Sequence, residues 1–192
     1  PVVARGLGKR GRAGEAGARL EKVAAAIPEE VGANRLNIDA AHLMLATMRT
    51  DWTGVLVHAD AFLTRARDLG SEVNESAVFQ VQGWRACALS RIGRQAEAAE
   101  MAAGVQRAEA RAPGAVVGFH ICRGDSAAAR AMLIRMLAGA DTRGWALRFI
   151  QPVEARTERT PLDRLTDPVE LAVRGAPDVI AAANKVGRIL PK

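Results

Sequence analysis

A short pattern recurs along this chain and restricts the fold more than any other feature. A turn residue is followed, at constant spacing, by an apolar or alanine position that opens a helical stripe. Gly11 precedes Ala16, Thr50 precedes Val55, Gly93 precedes Ala98 and Gly124 precedes Ala129. Successive units are offset by about 31 to 43 residues, close to the period of paired-helix repeats, in which each unit buries its apolar face only by stacking on its neighbours. The offsets are unequal, so the units are degenerate.

The helix after each turn carries the stripe of a half-buried helix. Ala16, Leu20, Val23, Ala24 and Ile27 share one face, and Pro28 ends that run because proline cannot continue the hydrogen-bond ladder. Val55, Leu56, Ala59, Phe62, Leu63, Ala66 and Leu69 form the second stripe, with Gly70 as its stop. Ala98, Met101, Ala102, Val105 and Ala108 form the third, which Pro113-Gly114 should stop. Ala129, Met132, Leu133, Met136 and Leu137 form the fourth, followed by Gly139. The segments before the turns, 38–49, 77–92 and a short 115–123, also read as helices. β-Branched residues cluster only at Ala115-Val116-Val117, and nothing alternates with period two, so no sheet is expected. An alanine-rich chain with aromatics at 4% fits this all-α reading, because alanine loses no side-chain entropy in a helix.

Beyond Gln151 the pattern changes. Residues 151–167 contain Pro152, Pro161 and a charged run, and read as an extended connector. Pro168 and Pro177 each read as the first residue of a short helix, where proline costs nothing. The organisation expected is a repeat array over 1–150 and a connector with capping helices over 151–192.

The segment Trp84-Arg85-Ala86-Cys87-Ala88-Leu89-Ser90-Arg91-Ile92-Gly93-Arg94-Gln95-Ala96-Glu97-Ala98-Ala99 resembles the tetratricopeptide repeat: a small residue (Ala86), a larger apolar one (Leu89), a hinge glycine (Gly93) and a tightly packed alanine (Ala98). Thr50-Asp51-Trp52 and Gly124-Asp125-Ser126 look like the same hinge. The resemblance covers roughly residues 11–140. It implies a right-handed α–α superhelix, a solenoid of degenerate helical hairpins. The longer units, with Arg65-Ala66-Arg67-Asp68-Leu69-Gly70 closing one of them, are similar to the arrays of MalT- and LuxR-type bacterial transcription activators, where the array senses or docks while other domains act. No P-loop and no helix-turn-helix signature is present. The chain begins almost at the second helix of a hairpin, so a piece of a larger regulator is expected.

In such stacks the first helix of each pair lines a concave groove. The resemblance then assigns Asn37, Met44, Thr47 and Met48 from one unit, Gln80, Cys87, Ser90 and Arg91 from the next, and Ile121 and Cys122 from the third. Ala40, Gly83 and Gly118 lie among them. A soft, mostly neutral groove of this kind suits a partner helix or peptide. Ala40, Met44, Gly83 and Cys87 stand where carboxylate-gripping arrays need Lys or Asn, so that clamp is not expected. Arg91 is the one groove charge singled out as functional.

Catalytic chemistry finds little support. His120, Cys122 and Asp125 are close in sequence but match no zinc spacing. Only Cys87 with His120, across neighbouring units, could form a thiol–imidazole pair. Carboxylate pairs such as Glu29-Glu30 read as solvated charges. Trp52, Trp84, Phe119 and Trp145 read as packing residues ahead of base-stacking platforms. The net charge of +6 is dispersed, with no basic block to track nucleic acid. Two cysteines are too few for a disulfide framework, so reduced thiols in the cytoplasm are expected, with no membrane span. The expectation is therefore a non-enzymatic, metal-free and cofactor-free module that binds a protein or peptide. The rival is a small-molecule effector sensor of a transcription regulator, its groove closed by the tail after Gln151.

Overall fold

The computed structural model describes residues 13–28, 32–151 and 159–187. Among these residues there are ten α-helices, one short 3-10 turn and no strand. The helices are α1 (Ala13–Ala26), α2 (Gly32–Met48), α3 (Trp52–Leu69), α4 (Glu75–Arg91), α5 (Gln95–Gln106), α6 (Pro113–Arg123), α7 (Ser126–Ala138), α8 (Ala140–Ile150), α9 (Pro161–Arg174) and α10 (Pro177–Val186). None is long and apolar enough to cross a membrane.

The recurring turns are the same turn three times. Thr50, Gly93 and Gly124 all have positive φ, at 56°, 87° and 79°. In each, the amide of the turn residue donates to the carbonyl three residues back, and the next amide donates five residues back: Asp51 to Ala46, Arg94 to Leu89 and Asp125 to His120. This pair of bonds is a Schellman closure of the first helix. The second helix then starts at once, and the Asp51 and Asp125 carboxylates accept the Gly54 and Ala128 amides at 2.9 and 3.0 Å as N-caps. Burial repeats in step with the turns: Val55, Ala98 and Ala129, then Ala59, Ala102 and Leu133, then Phe62, Val105 and Met136 are all buried. The turn proposed at Gly11 lies outside the described residues, but Ala16 is fully buried at the corresponding position.

Thr50 is the exception within this set, a β-branched residue where the geometry favours glycine. Its Cβ crowds the backbone in the left-handed region. Thr50→Gly relieves about 1–2 kcal/mol of left-handed strain against about 0.5–1 kcal/mol of added chain entropy in the unfolded state, so a net gain of about 0.5–1 kcal/mol is expected, read by urea denaturation; a loss of stability would show that the threonine side chain matters more than the backbone.

The hairpins pack in chain order. α2 packs on α3, α3 on α4, α4 on both α5 and α6, and α6 on α7. Gly83 permits the α4–α6 approach, since a Cβ there would lie 3.1 Å from the Ala115 carbonyl oxygen. Interhelical ion pairs follow the same path, Asp39 with Arg65 at 3.0 Å and Asp60 with Arg85 at 2.7 Å. The Asp60–Arg85 pair is exposed and contributes little to stability, whereas the Asp39–Arg65 pair is partly buried.

The tail departs from expectation. The stretch 161–167 is helical, not extended, and residues 152–158 lie outside the description. α9 begins at Pro161 because Thr160 and Asp163 form a capping box, each side chain satisfying the other's backbone amide. Pro168 thus sits inside the helix and does not start it. Pro177 does open α10, as expected. Pro113 opens α6, while α5 has already ended at Gln106. α8 went unassigned by sequence. Val173, Val179 and Ala183 of the tail share one apolar cluster with Val105, Val116, Leu133 and Ile150, so the last helices are built into the core of the third hairpin. α9 also reaches back to α2, near the other end of the array.

Candidate functional site

The face that sequence assigns to binding is carried by the first helices of the hairpins, α2, α4 and α6. Its ten positions divide sharply. Asn37 is exposed, and Met44, Met48, Gln80, Ser90 and Arg91 are half-buried. Neither Met44 nor Met48 belongs to an apolar core cluster among the described residues. Thr47, Cys87, Ile121 and Cys122 are buried and offer nothing to a groove ligand, which corrects their assignment. The Thr47 hydroxyl donates to the Leu43 carbonyl at 2.8 Å, one turn back in its own helix. Ile121 packs into the large cluster around Leu133 and Met136.

Cys87 and Cys122 are joined as a disulfide between α4 and α6, with a Cα–Cα distance of 6.1 Å. The expectation of reduced thiols is therefore not met. Both residues are fully buried, with Ala86, Ala102 and Phe119 around them and Trp52, Trp84 and Met101 at the edge. The separation lies in the range that a disulfide spans without moving backbone. The bond also removes the thiol from any Cys87–His120 pair.

Arg91 is committed to structure. Its guanidinium donates to the Cys122 carbonyl at the end of α6, where the helix dipole favours a cation. His120 occupies the place in its unit that Ala46 and Leu89 hold in theirs, one turn before the hinge. It is 6% exposed, and its Nδ1 has no hydrogen-bond partner. Burial pushes its pKa down, with Asp125 opposing and Arg123 and Arg135 adding to the shift.

The other two histidines meet across the first hairpin. The His42 and His58 rings stack with centroids 5.0 Å apart, and Glu21 of α1 lies 3.8 Å from His42 Nε2. Burial lowers the His58 pKa first, and the neighbouring His42 lowers it further, against Asp39, Asp51 and Glu21. A histidine with a depressed folded-state pKa leaves stability untouched above the unfolded value near 6.5 and loses it as pH falls below, because the unfolded chain takes up the proton first. Melting temperature should fall from pH 7 to pH 5, and His58→Gln should reduce the slope of that fall. An unchanged slope would place the acid sensitivity elsewhere.

The aromatic residues pack within the protein. Trp52 and Trp84 flank core clusters, and Phe119 is buried. Trp145 stacks on Phe149 at 5.2 Å, with the Arg174 guanidinium 4.5 Å from the Phe149 centroid.

Sequence reasoning missed a cleft of about 490 Å³ at the seam of α3, α4 and α5. Leu63, Val78 and Met101 give it apolar walls, and Thr64, Arg67, Gln82 and the Asp60–Arg85 pair give it polar ones. None of the ten groove positions lines it. Leu63 and Met101 were read as members of apolar stripes, and nothing in the sequence marked them as lining a cleft.

No family model, curated protein or solved structure matches the chain.

Proposed function

We propose that this chain is a protein- or peptide-binding helical repeat module, a tetratricopeptide-like right-handed superhelix within a bacterial regulatory protein, and that it acts as a receptor and not as an enzyme. The observation that carries the reading is the threefold recurrence of one hinge and one set of buried positions. Recurrence of this kind is the mark of an array whose repeated faces present a continuous surface. On that surface Met44 and Met48 are half-buried without being core, the condition of a soft side chain that adapts to an apolar partner helix.

A displayed library of random amphipathic 18-residue peptides, selected against the immobilised chain, tests it. Enriched peptides should carry apolar residues at helical spacing, and Met44→Lys should weaken them at least tenfold with little change in melting temperature. Equal losses of binding and melting temperature would make Met44 a core residue. Binding indifferent to Met44→Lys would remove this face as the receptor.

The cleft favours one rival, a sensor of small effectors. Its volume lies within the range of small-molecule sites, and apolar side chains there stand beside charged and polar ones that could orient a ligand. A metabolite that raises the melting temperature of the wild-type chain but not of Met101→Glu would move the assignment to this cleft.

A further inference from the structure

α3 and α5, the second helices of neighbouring hairpins, both pack on α4 but make no comparable contact with each other. The cleft is the trough left between them, floored by α4. Leu63 and Val78 border one apolar cluster and Met101 borders another, and all three are half-buried. The trough thus offers apolar side chains that neither cluster fully covers.

Its charges are unequal along its length. Asp60 and Arg85 pair across α3 and α4 at 2.7 Å and neutralise each other. Arg67 lies about two turns further along α3, roughly 10 Å at 1.5 Å per residue, toward the turn into α4. Its guanidinium donates to the Thr64 hydroxyl at 3.1 Å and to the Leu63 carbonyl at 3.4 Å in its own helix, and it has no carboxylate partner among the described residues. Gln82 is half-buried on α4 between Val78 and Arg85, and its amide has no hydrogen-bond partner among the described residues. Stacking does not call for this set. One unit on, the positions of Thr64, Arg67 and Arg85 hold Arg107, Ala110 and Val116, and Val116 is fully buried.

We propose that the cleft between α3 and α5 binds a small amphipathic carboxylate. The carboxylate lies against the Arg67 guanidinium, which offers it two parallel N–H donors, with the Thr64 hydroxyl beside it. The apolar body runs along Leu63, Val78 and Met101 toward the neutral Asp60–Arg85 pair, past the Gln82 amide. Among the described residues that line the cleft, Arg67 is the one unpaired charge, which suits a monoanion. A cationic head would find its only carboxylate, Asp60, already taken by Arg85. The inference rests on the effector reading of this cleft and leaves the peptide-binding face on α2 untouched.

The test uses the full chain with isotope-labelled methionine methyl groups, observed by NMR and assigned by single methionine-to-leucine replacements, with octanoate as the probe. Met101 reports the cleft, Met44 and Met48 the face on α2, and Met132 and Met136 the core. At neutral pH octanoate should shift the Met101 methyl in a saturable way and leave Met44 and Met48 in place. Octanol, octylammonium and octyl phosphate should bind at least tenfold more weakly. Arg67→Gln should weaken octanoate at least fivefold and leave octanol unchanged. The variant should fold as the wild type does, because Arg67 is exposed and bonds only within α3. Equal affinity of octanoate and octanol, equal affinity of wild type and Arg67→Gln for octanoate, or shifts at Met44 and Met48 that follow those at Met101 would overturn the proposal. Tighter binding of octanol, octylammonium or octyl phosphate at Met101 would overturn the carboxylate and leave the cleft an effector site. A Met101 methyl that none of the four probes moves would remove both.

Discussion

Replacing both cysteines with alanine, Cys87→Ala with Cys122→Ala, is expected to lower the melting temperature by roughly 10 °C. The bond closes a loop across a sequence separation of 35 residues. In the chain-entropy account such a loop raises stability by about 3–4 kcal/mol, and for a chain of this length each kcal/mol corresponds to about 2–4 °C. Both residues are fully buried, so a mild reductant added to the folded protein should act slowly and the alanine pair is the cleaner comparison. Thiol titration after denaturation should find no free cysteine in the native product. Two free thiols, together with a melting temperature within 2 °C of the wild type for the alanine pair, would mean that the sulfurs are neighbours and not partners.

Gly83→Leu should be nearly as damaging. The glycine sits in the middle of α4, where a Cβ would already press on the Ala115 backbone oxygen at 3.1 Å and touch the Ala115 methyl at 3.5 Å. Backbone cannot step aside as a flexible side chain can, so a leucine must part α4 from α6. A cost of about 3 kcal/mol is expected, at the upper end of overpacking effects, read from urea unfolding. Parting the helices would also stretch the 6.1 Å spacing that the disulfide needs, so the variant should form less of that bond during refolding. Gly118→Ala in α6 is the control, because its Cβ would meet nothing within 4 Å. It should gain about 0.5–1 kcal/mol from better helix propensity. A Gly83→Leu chain that unfolds like the wild type would show that α4 and α6 are less closely joined than described.

The parts of this fold that sequence discloses are those set by local chemistry. A glycine or threonine forced to positive φ, an aspartate cap and an apolar residue at fixed spacing lie within a few residues of one another, so Thr50, Gly93 and Gly124 marked their turns. The buried Val55, Ala98 and Ala129 followed from them. The start of α9 was missed because its cap is Thr160 with Asp163, the shorter acid in place of the usual glutamate, at the end of a charged run that reads as loop. Of the ten positions expected to face a groove, six keep some exposure and four are buried. Which face of α4 or α6 turns inward depends on how closely the two helices approach, and Gly83 permits an approach that buries Cys87 and Cys122 together. Ile121 and Thr47 were lost for a similar reason, since their neighbours come from other elements or from the preceding helical turn. The return of α9 to α2 is a long-range contact that no local pattern encodes.

The Cys87–Cys122 bond also gives the chain an uneven mechanical build. When the two ends are pulled apart, the hairpins outside the cross-link can unravel, but the stretch between residues 87 and 122 stays closed. That withholds roughly 120 Å of contour length, at about 3.3–3.6 Å per extended residue over a separation of 35. Tension applied to the ends would thus bypass the helix Gln95–Gln106, which lies wholly inside the closed stretch, and act on the helices outside it.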